Sequence, residues 1–179
     1  MAKVIIGNKE QGFIRFGFIN VFEAHKSKMY PQNLPNFTAV VIIPKGHPQV
    51  AEIQAAIKAA ADEGWSKKKP ANLNNPLRDG DTEKPGKAAF AGTYFITASS
   101  REDDPPGVID ASVQPAKKQD WNAGDYGRAS VTFYPSLSYN KIGVGLNNVQ
   151  FVLKGESLSE RVSANQDFGV EEVEPDVAF

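Results

Sequence analysis

The chain has 179 residues, of which 41% are hydrophobic, 10% aromatic and 23% charged, and its formal net charge is −1. That length suits one domain rather than a two-domain enzyme. The 26 Val and Ile residues against only 7 Leu, together with 18 aromatics, favour pleated sheet and exclude an all-helical bundle. Cys is absent, which removes disulfides, thiolate nucleophiles, Cys-ligated zinc and iron–sulfur clusters together.

The opening residues hold a three-residue apolar run before Gly7, Asn8 and Lys9, far short of a signal-peptide core. No stretch is long and apolar enough to span a membrane. The expectation is a soluble, intracellular protein. Residues 13–24 are apolar and aromatic nearly throughout, as in a strand buried on most of both faces. Residues 37–44 are β-branched and end at Pro44, a second strand. From Pro48 the period changes: Val50, Ile53, Ile57 and Ala60 recur at three- and four-residue steps up to Gly64, predicting one amphipathic helix of about 16 residues on the side or end of a sheet.

Residues 65–88, with three Pro, two Gly and repeated Asn and Asp, read as a long exposed loop. Strand signals return at residues 90–98, 108–113, 126–134 and 142–153, the last two joined by a hairpin loop over 135–141. Six strands with one helix after the second fit a small antiparallel barrel or sandwich. An OB-like antiparallel β-barrel best suits an inserted α-helix and long loops, although five strands are usual there and the sixth would be an added edge or hairpin.

Candidate chemistry is sparse. His25 and His47 are the only histidines and stand at no zinc-hydrolase or deaminase spacing, and neither a P-loop nor a G-x-S-x-G motif occurs. Gly143 and Gly145 lack the helix that a dinucleotide fingerprint needs and read as a bulge or bend. Asp79 and Asp81, like Glu102, Asp103 and Asp104, lack the remaining ligands of a calcium loop and read as turns. No cofactor, metal or catalytic group is expected.

The more specific pattern lies in residues 126–134. A two-residue period puts Ala129, Val131 and Phe133 on one face and Tyr126, Arg128, Ser130, Thr132 and Tyr134 on the other, which Asn148 and Gln150 of the next strand could extend. Rings, a guanidinium and hydroxyls on one face suit single-stranded nucleic acid, which needs stacking surfaces and phosphate-binding cations; a half-exposed strand of ordinary composition is the plainer alternative. Trp65 with Lys67, Lys68 and Lys69, then Arg78, then Lys117 and Lys118 before Trp121, are further stacking and phosphate-contacting candidates, unless these lysines are simply solvated.

Charge is divided along the chain. Residues 1–155 hold 19 Lys and Arg against 14 Asp and Glu, net +5, whereas residues 156–179 carry one Arg and seven acidic residues, net −6. The expected organisation is a binding body over 1–155 and a disordered acidic C-terminal tail over 156–179. In the tail, Glu171, Glu172, Glu174, Asp176 and the terminal Phe179 are candidate partner-binding residues.

Several short motifs occur together in order: Phe22-Glu23, Ile43-Pro-Lys45 before the helix, Pro76-Leu-Arg-Asp-Gly-Asp81, Pro106-Gly-Val-Ile-Asp110, Gly124-Asp-Tyr-Gly-Arg-Ala-Ser-Val-Thr-Phe-Tyr134 and Gly145-Leu-Asn-Asn-Val-Gln150. From Phe13 to Leu158 the chain resembles the OB-fold single-stranded DNA-binding proteins encoded by tailed phages. More loosely, it resembles the T-odd phage replication binding proteins, which also end in an acidic tail with a terminal Phe. The resemblance implies sequence-tolerant binding of single-stranded DNA in phage replication, recombination or repair, without catalysis, in the host cell cytoplasm. The opposite charges of body and tail suggest a tail that competes with DNA and recruits phage or host replication and recombination proteins. A virion β-sandwich protein is the alternative from another class, and a metal-dependent nuclease the third.

Overall fold

The computed structural model describes residues 1–30, 32–158, 168 and 170. Eight strands and two helices follow in the order β1 (Ala2–Ile6), β2 (Ile14–His25), β3 (Asn36–Pro44), α1 (Val50–Gly64), β4 (Arg78–Asp79), α2 (Gly80–Glu83), β5 (Thr93–Arg101), β6 (Gly107–Ile109), β7 (Tyr126–Ser136) and β8 (Lys141–Leu153). Five of the strands form a closed ring. β2 pairs with β3, β3 with β5, β5 with β8, β8 with β7, and β7 with the start of β2. All these pairings are antiparallel except β5 with β8, which is parallel. This is the five-stranded Greek-key arrangement of an OB-type barrel.

The additional strands lie outside the ring. β6 pairs in parallel with β8, the edge addition that a surplus strand signal suggested. β1 pairs with residues 129–133 of β7 and so continues, beyond a turn, the edge that β2 occupies at residues 126 and 127. Gly7 makes that turn at φ +91°, and a Cβ there would fall 2.7 Å from the Gly127 carbonyl oxygen. α1 lies across β1 and β7, burying Ile53, Ala56, Ala60 and Ala61; the Ala-rich stripe lets its axis approach closely.

The barrel interior is filled by alternate residues of each strand, including Val41, Ile43, Ile96, Val131 and Phe133. Phe151 is its hub, with Phe16 at 5.1 Å, Phe22 stacked at 6.0 Å and Trp121 stacked at 5.0 Å. Among the described residues no helix is long and apolar enough to cross a membrane.

One strand was not expected and one expectation is corrected. β1 is a strand, with Val4 and Ile6 buried while Lys3 and Ile5 stay exposed. Residues 65–88 are not one irregular loop, since they contain β4, which pairs with β5, and the turn α2. A distant lysine supplies the order. Lys45 Nζ lies 3.0 Å from Asp79 Oδ1 and 2.7 Å from Asp81 Oδ2, and Asp81 Oδ1 accepts the Gly92 amide at 2.9 Å. The hydrogen bonds to Asp81 and Asp79 push the Lys45 ammonium well above the ordinary lysine range. Both carboxyls are held below the usual aspartate value, chiefly by their bonds to Lys45. Asp79 also caps α2 by accepting the Asp81 amide, so the Asp-Gly-Asp run is a turn consumed by its own fold.

Candidate nucleic-acid interface

The outer face of β3 and β5 is where the barrel opens a groove. Register puts Thr38, Val40 and Ile42 of β3 opposite Ser99, Thr97 and Phe95 of β5 on that face. Phe95 is only 2% exposed although it points away from the barrel interior. Phe90 meets it edge-on at 5.3 Å, and the Arg78 guanidinium lies 4.9 Å above its ring. The clamped segment 78–92 thus builds one wall of the groove and sets cations along it.

Three hollows run together there. One of about 760 Å³ is lined by Phe18, Val40, Arg78, Lys84, Phe90 and Thr97, among others. A second of about 330 Å³ shares Arg78 and Thr97 with it and adds Tyr134 and Lys141. A third of about 570 Å³ shares Ser99 and Tyr134 with the second and ends at Leu34, Asn36 and Arg101. From Phe95 to Arg101 the floor of this path is six steps along one strand, roughly 20 Å.

Exposed rings lie on the path and on the β2–β3 and β7–β8 loops. Phe18, 55% exposed, faces the first hollow. The Tyr134 ring lies over Gly143 and Gly145; a Cβ on Gly143 would stand 2.3 Å from Tyr134 Cζ, so the glycine makes room for the ring. On the β7–β8 loop Tyr139 is 75% exposed with Lys141 Nζ 5.4 Å from its centroid, and the β2–β3 loop presents Tyr30 beside Lys26 and Lys28. These groups can stack on bases and meet phosphates, the two demands of a single strand.

Of the residues singled out from sequence, Arg78 and Tyr134 line this groove together. Tyr126, Arg128, Ser130, Thr132 and Tyr134 do share the non-core face of β7, with Gln150 and Asn148 as cross-strand neighbours of Arg128 and Ser130. Yet Tyr126 stands eight residues from Tyr134, roughly 26 Å along the strand. Its ring sits 5.5 Å from the Arg15 guanidinium, and Arg128 Nε donates to the Gly7 carbonyl. Trp65 and Trp121 are half-buried against the core, Trp121 between Phe151 and Lys154. Lys69 pairs with Asp62 and Lys118 with Glu23, while Lys67, Lys68 and Lys117 are exposed. Lys58 and Lys69 hold the Asp62 carboxyl down to about 2. Glu171, Glu172, Glu174, Asp176 and Phe179 lie outside the described residues.

Sequence reasoning missed Phe18, Tyr30, Lys84, Thr97, Tyr139 and Lys141. An aromatic and a lysine at a hairpin tip, as in Tyr139-Asn-Lys141, was the available signal. The chain leaving β8 also reaches the groove. Asp125, fully buried, accepts the Gly155 amide and Lys154 Nζ; Arg15 donates to the Glu156 carbonyl, and the Leu158 amide to that of Ala123. Ser157 and Leu158 line the first hollow.

The family model described as "Enterobacter phage Enc34, ssDNA-binding protein" matches residues 2–178. The chain belongs to the Enc34 single-stranded DNA-binding protein family. This family is one of phage binding proteins rather than enzymes. Among solved structures, the Enc34 family fold is matched by the single-stranded DNA-binding protein of bacteriophage Enc34 in complex with ssDNA, at 15% identity and a TM-score of 0.73, covering 88% of this chain and 90% of that one. A C-terminal truncation of the Enc34 protein matches at 14% identity and TM-score 0.70, covering 88% and 89%. The bacteriophage T7 single-stranded DNA-binding protein gp2.5 matches at 15% identity and TM-score 0.53, covering 91% and 98%. At these identities the likeness establishes the fold. No curated protein sequence matches.

Proposed function

We propose that the protein binds single-stranded DNA with little sequence preference along the groove on the outer face of β3 and β5, in phage DNA replication, recombination or repair within the host cytoplasm. The observation that carries this reading is the continuous path of about 20 Å, on which Phe18, Arg78, Tyr134 and Lys141 meet. Capture of the bacteriophage Enc34 protein with ssDNA on the same fold supports it. Rings supply stacking and cations answer phosphates, and neither contact depends on which base is present. α1 ends with Gly64 against Pro135 and Leu137, at the foot of the β7–β8 loop; Lys67, Lys68 and Lys69 follow and extend the phosphate track from Lys141.

The acidic residues 156–179 compete with DNA and recruit replication and recombination proteins. Supporting this, Ser157 and Leu158 already lie in the groove, so the rest of the tail starts from its rim at a high effective concentration. Glu156 and Leu158 are bonded to the body, so residues 156–158 are anchored beside the groove. Both Trp residues pack on the core, so anisotropy of end-labelled oligo(dT) of graded length is the suitable assay. Binding should tighten with length to a plateau and weaken as salt rises, and Phe18→Ala and Lys141→Gln should each weaken it. Absence of binding at low salt, or two folded variants indistinguishable from the parent, refutes the groove.

A further inference from the structure

Arg78 is the most central cation of the groove, bordering two of its three hollows, and it is already engaged. Its Nε lies 2.9 and 3.1 Å from the two carboxylate oxygens of Glu83, and its Nη2 lies 2.7 Å from Oε1. A guanidinium grips two phosphate oxygens in this same forked way. Glu83 closes α2, the single turn that starts immediately after Arg78-Asp79 and so folds back over Arg78.

That turn is tied down independently of Arg78. Lys45 bridges Asp79 and Asp81, and Asp81 holds the Gly92 amide. Gly80 packs so closely that a Cβ would lie 2.4 Å from the Phe90 carbonyl oxygen. Of the three carboxylates in residues 78–92, Asp79 and Asp81 answer Lys45, and Glu83 answers the groove cation. The pair remains accessible, with side-chain exposures of 45% for Arg78 and 38% for Glu83, so solvent screens it and exchange costs little.

We propose that Glu83 is a resident stand-in for a DNA phosphate: it holds Arg78 over Phe95 in the free protein and is displaced when a phosphate of the bound strand takes its place. The proposal rests on the groove reading above. It carries a thermodynamic signature. An ordinary phosphate contact on a single strand releases counterions and adds about 0.7 to the slope of log K against log salt. Exchange of one anion for another at Arg78 releases almost none, because the freed Glu83 carboxylate gathers cations as the phosphate sheds them. Arg78 therefore contributes alignment in the parent protein with little salt dependence.

A double-mutant cycle tests this on the full chain with labelled oligo(dT) across a series of salt concentrations, thermal melts confirming that each variant folds. Glu83→Gln keeps the shape and removes the competing charge. It should tighten binding at low salt by up to about five-fold, the worth of an exposed ion pair, and steepen the salt slope by up to about 0.7. Glu10→Gln, an equal charge change in the exposed turn between β1 and β2, measures the general field. The gain from Glu83→Gln should exceed that of Glu10→Gln and vanish in an Arg78→Gln background. A gain no larger than that of Glu10→Gln, or one that persists without Arg78, overturns the proposal. If Phe18→Ala and Lys141→Gln still weaken binding in that case, the groove stands and only the exchange is lost. If neither weakens it, the groove itself is wrong.

Discussion

Replacing Tyr134 by Ala is the most direct probe of stacking in the groove. The ring is 38% exposed, borders two hollows and has one face laid on Gly143 and Gly145, so a single base can stack on the other face. One base–aromatic stack is worth roughly 1–3 kcal/mol, which corresponds to about five-fold to 150-fold in Kd. Side-chain removal leaves the barrel interior untouched, since Phe133 and Val131 face inward on the same strand. The melting temperature should therefore stay close to the parent's. Tyr134→Phe keeps the ring and should bind within about two-fold of the parent, because the stack is what it retains. Tyr126→Ala serves as the contrast: its ring lies under Arg15, away from the three hollows, and its loss should cost less than Tyr134→Ala. Anisotropy titrations of all three variants at one fixed salt concentration decide the matter. If Tyr134→Ala binds like the parent while Tyr126→Ala loses affinity, the stacking platform lies at the other end of β7 and the path described here is not the DNA track.

Further expectations follow from the same geometry. Gly143→Ala should push the Tyr134 ring off its seat and weaken oligo(dT) binding without unfolding the protein, so retained affinity with a displaced ring in a crystal structure would separate position from function. Asp79 and Asp81 titrate below their ordinary value of about 3.9, so the Lys45 clamp is intact above that pH and is lost as pH falls through the lowered values. The Gly92 amide resonance should follow with a midpoint below that of a free aspartate; a midpoint at or above the ordinary value would contradict the clamp. Because the Lys45 ammonium is pushed upward, no loss is expected between neutral pH and about 10, the unfolded lysine range. Deleting residues 159–179 should tighten DNA binding, most at low ionic strength where screening is least, and unchanged affinity there would refute competition by the tail.

The barrel was legible where burial is repetitive. Apolar runs with β-branched residues gave β2, β3, β7 and β8, and a change to three- and four-residue spacing gave α1, which begins at Val50 and ends at Gly64 as its pattern requires. β1 was not legible because only Val4 and Ile6 of its five residues are buried. β4 and α2 were hidden for a different reason: their order depends on Lys45, 34 and 36 residues away from Asp79 and Asp81, and no local pattern encodes such a pairing. The site was legible only in part. Two-residue alternation correctly assigned Tyr126 and Tyr134 to one face of β7, but a curved, closed sheet spreads that face over different sectors. Phe18 escaped because the register of β2 against β3 shifts between Phe16 and Ile19, so Phe16 is buried while Phe18, two residues on, is exposed. Trp121 after Lys117 and Lys118 was a stacking candidate from sequence, and its ring stacks on Phe151 inside the protein.

The second hollow of the groove lies where the ring of strands is least continuous, and that coincidence has a structural cause. β3 and β5 pair over nine residues, but β5 meets β8 in a single parallel pair, Ser99 with Gly145. Below that point the two strands diverge, and the open wedge between them is the second hollow, with Thr97 and Ser99 on one bank and Gly143 and Val144 on the other. Glycines at 143 and 145 keep β8 low there, which lets Tyr134 cross from β7 and close the wedge with an aromatic ring instead of a backbone ladder. A side chain spans a gap that main-chain hydrogen bonds would otherwise seal. The barrel thereby trades part of one seam for a surface on which an aromatic ring shares one hollow with Lys141 and Arg78. Packing of Phe16, Phe133 and Phe151 in the interior is independent of that seam, so substitutions at Phe18, Tyr134 or Lys141 should alter DNA affinity far more than stability.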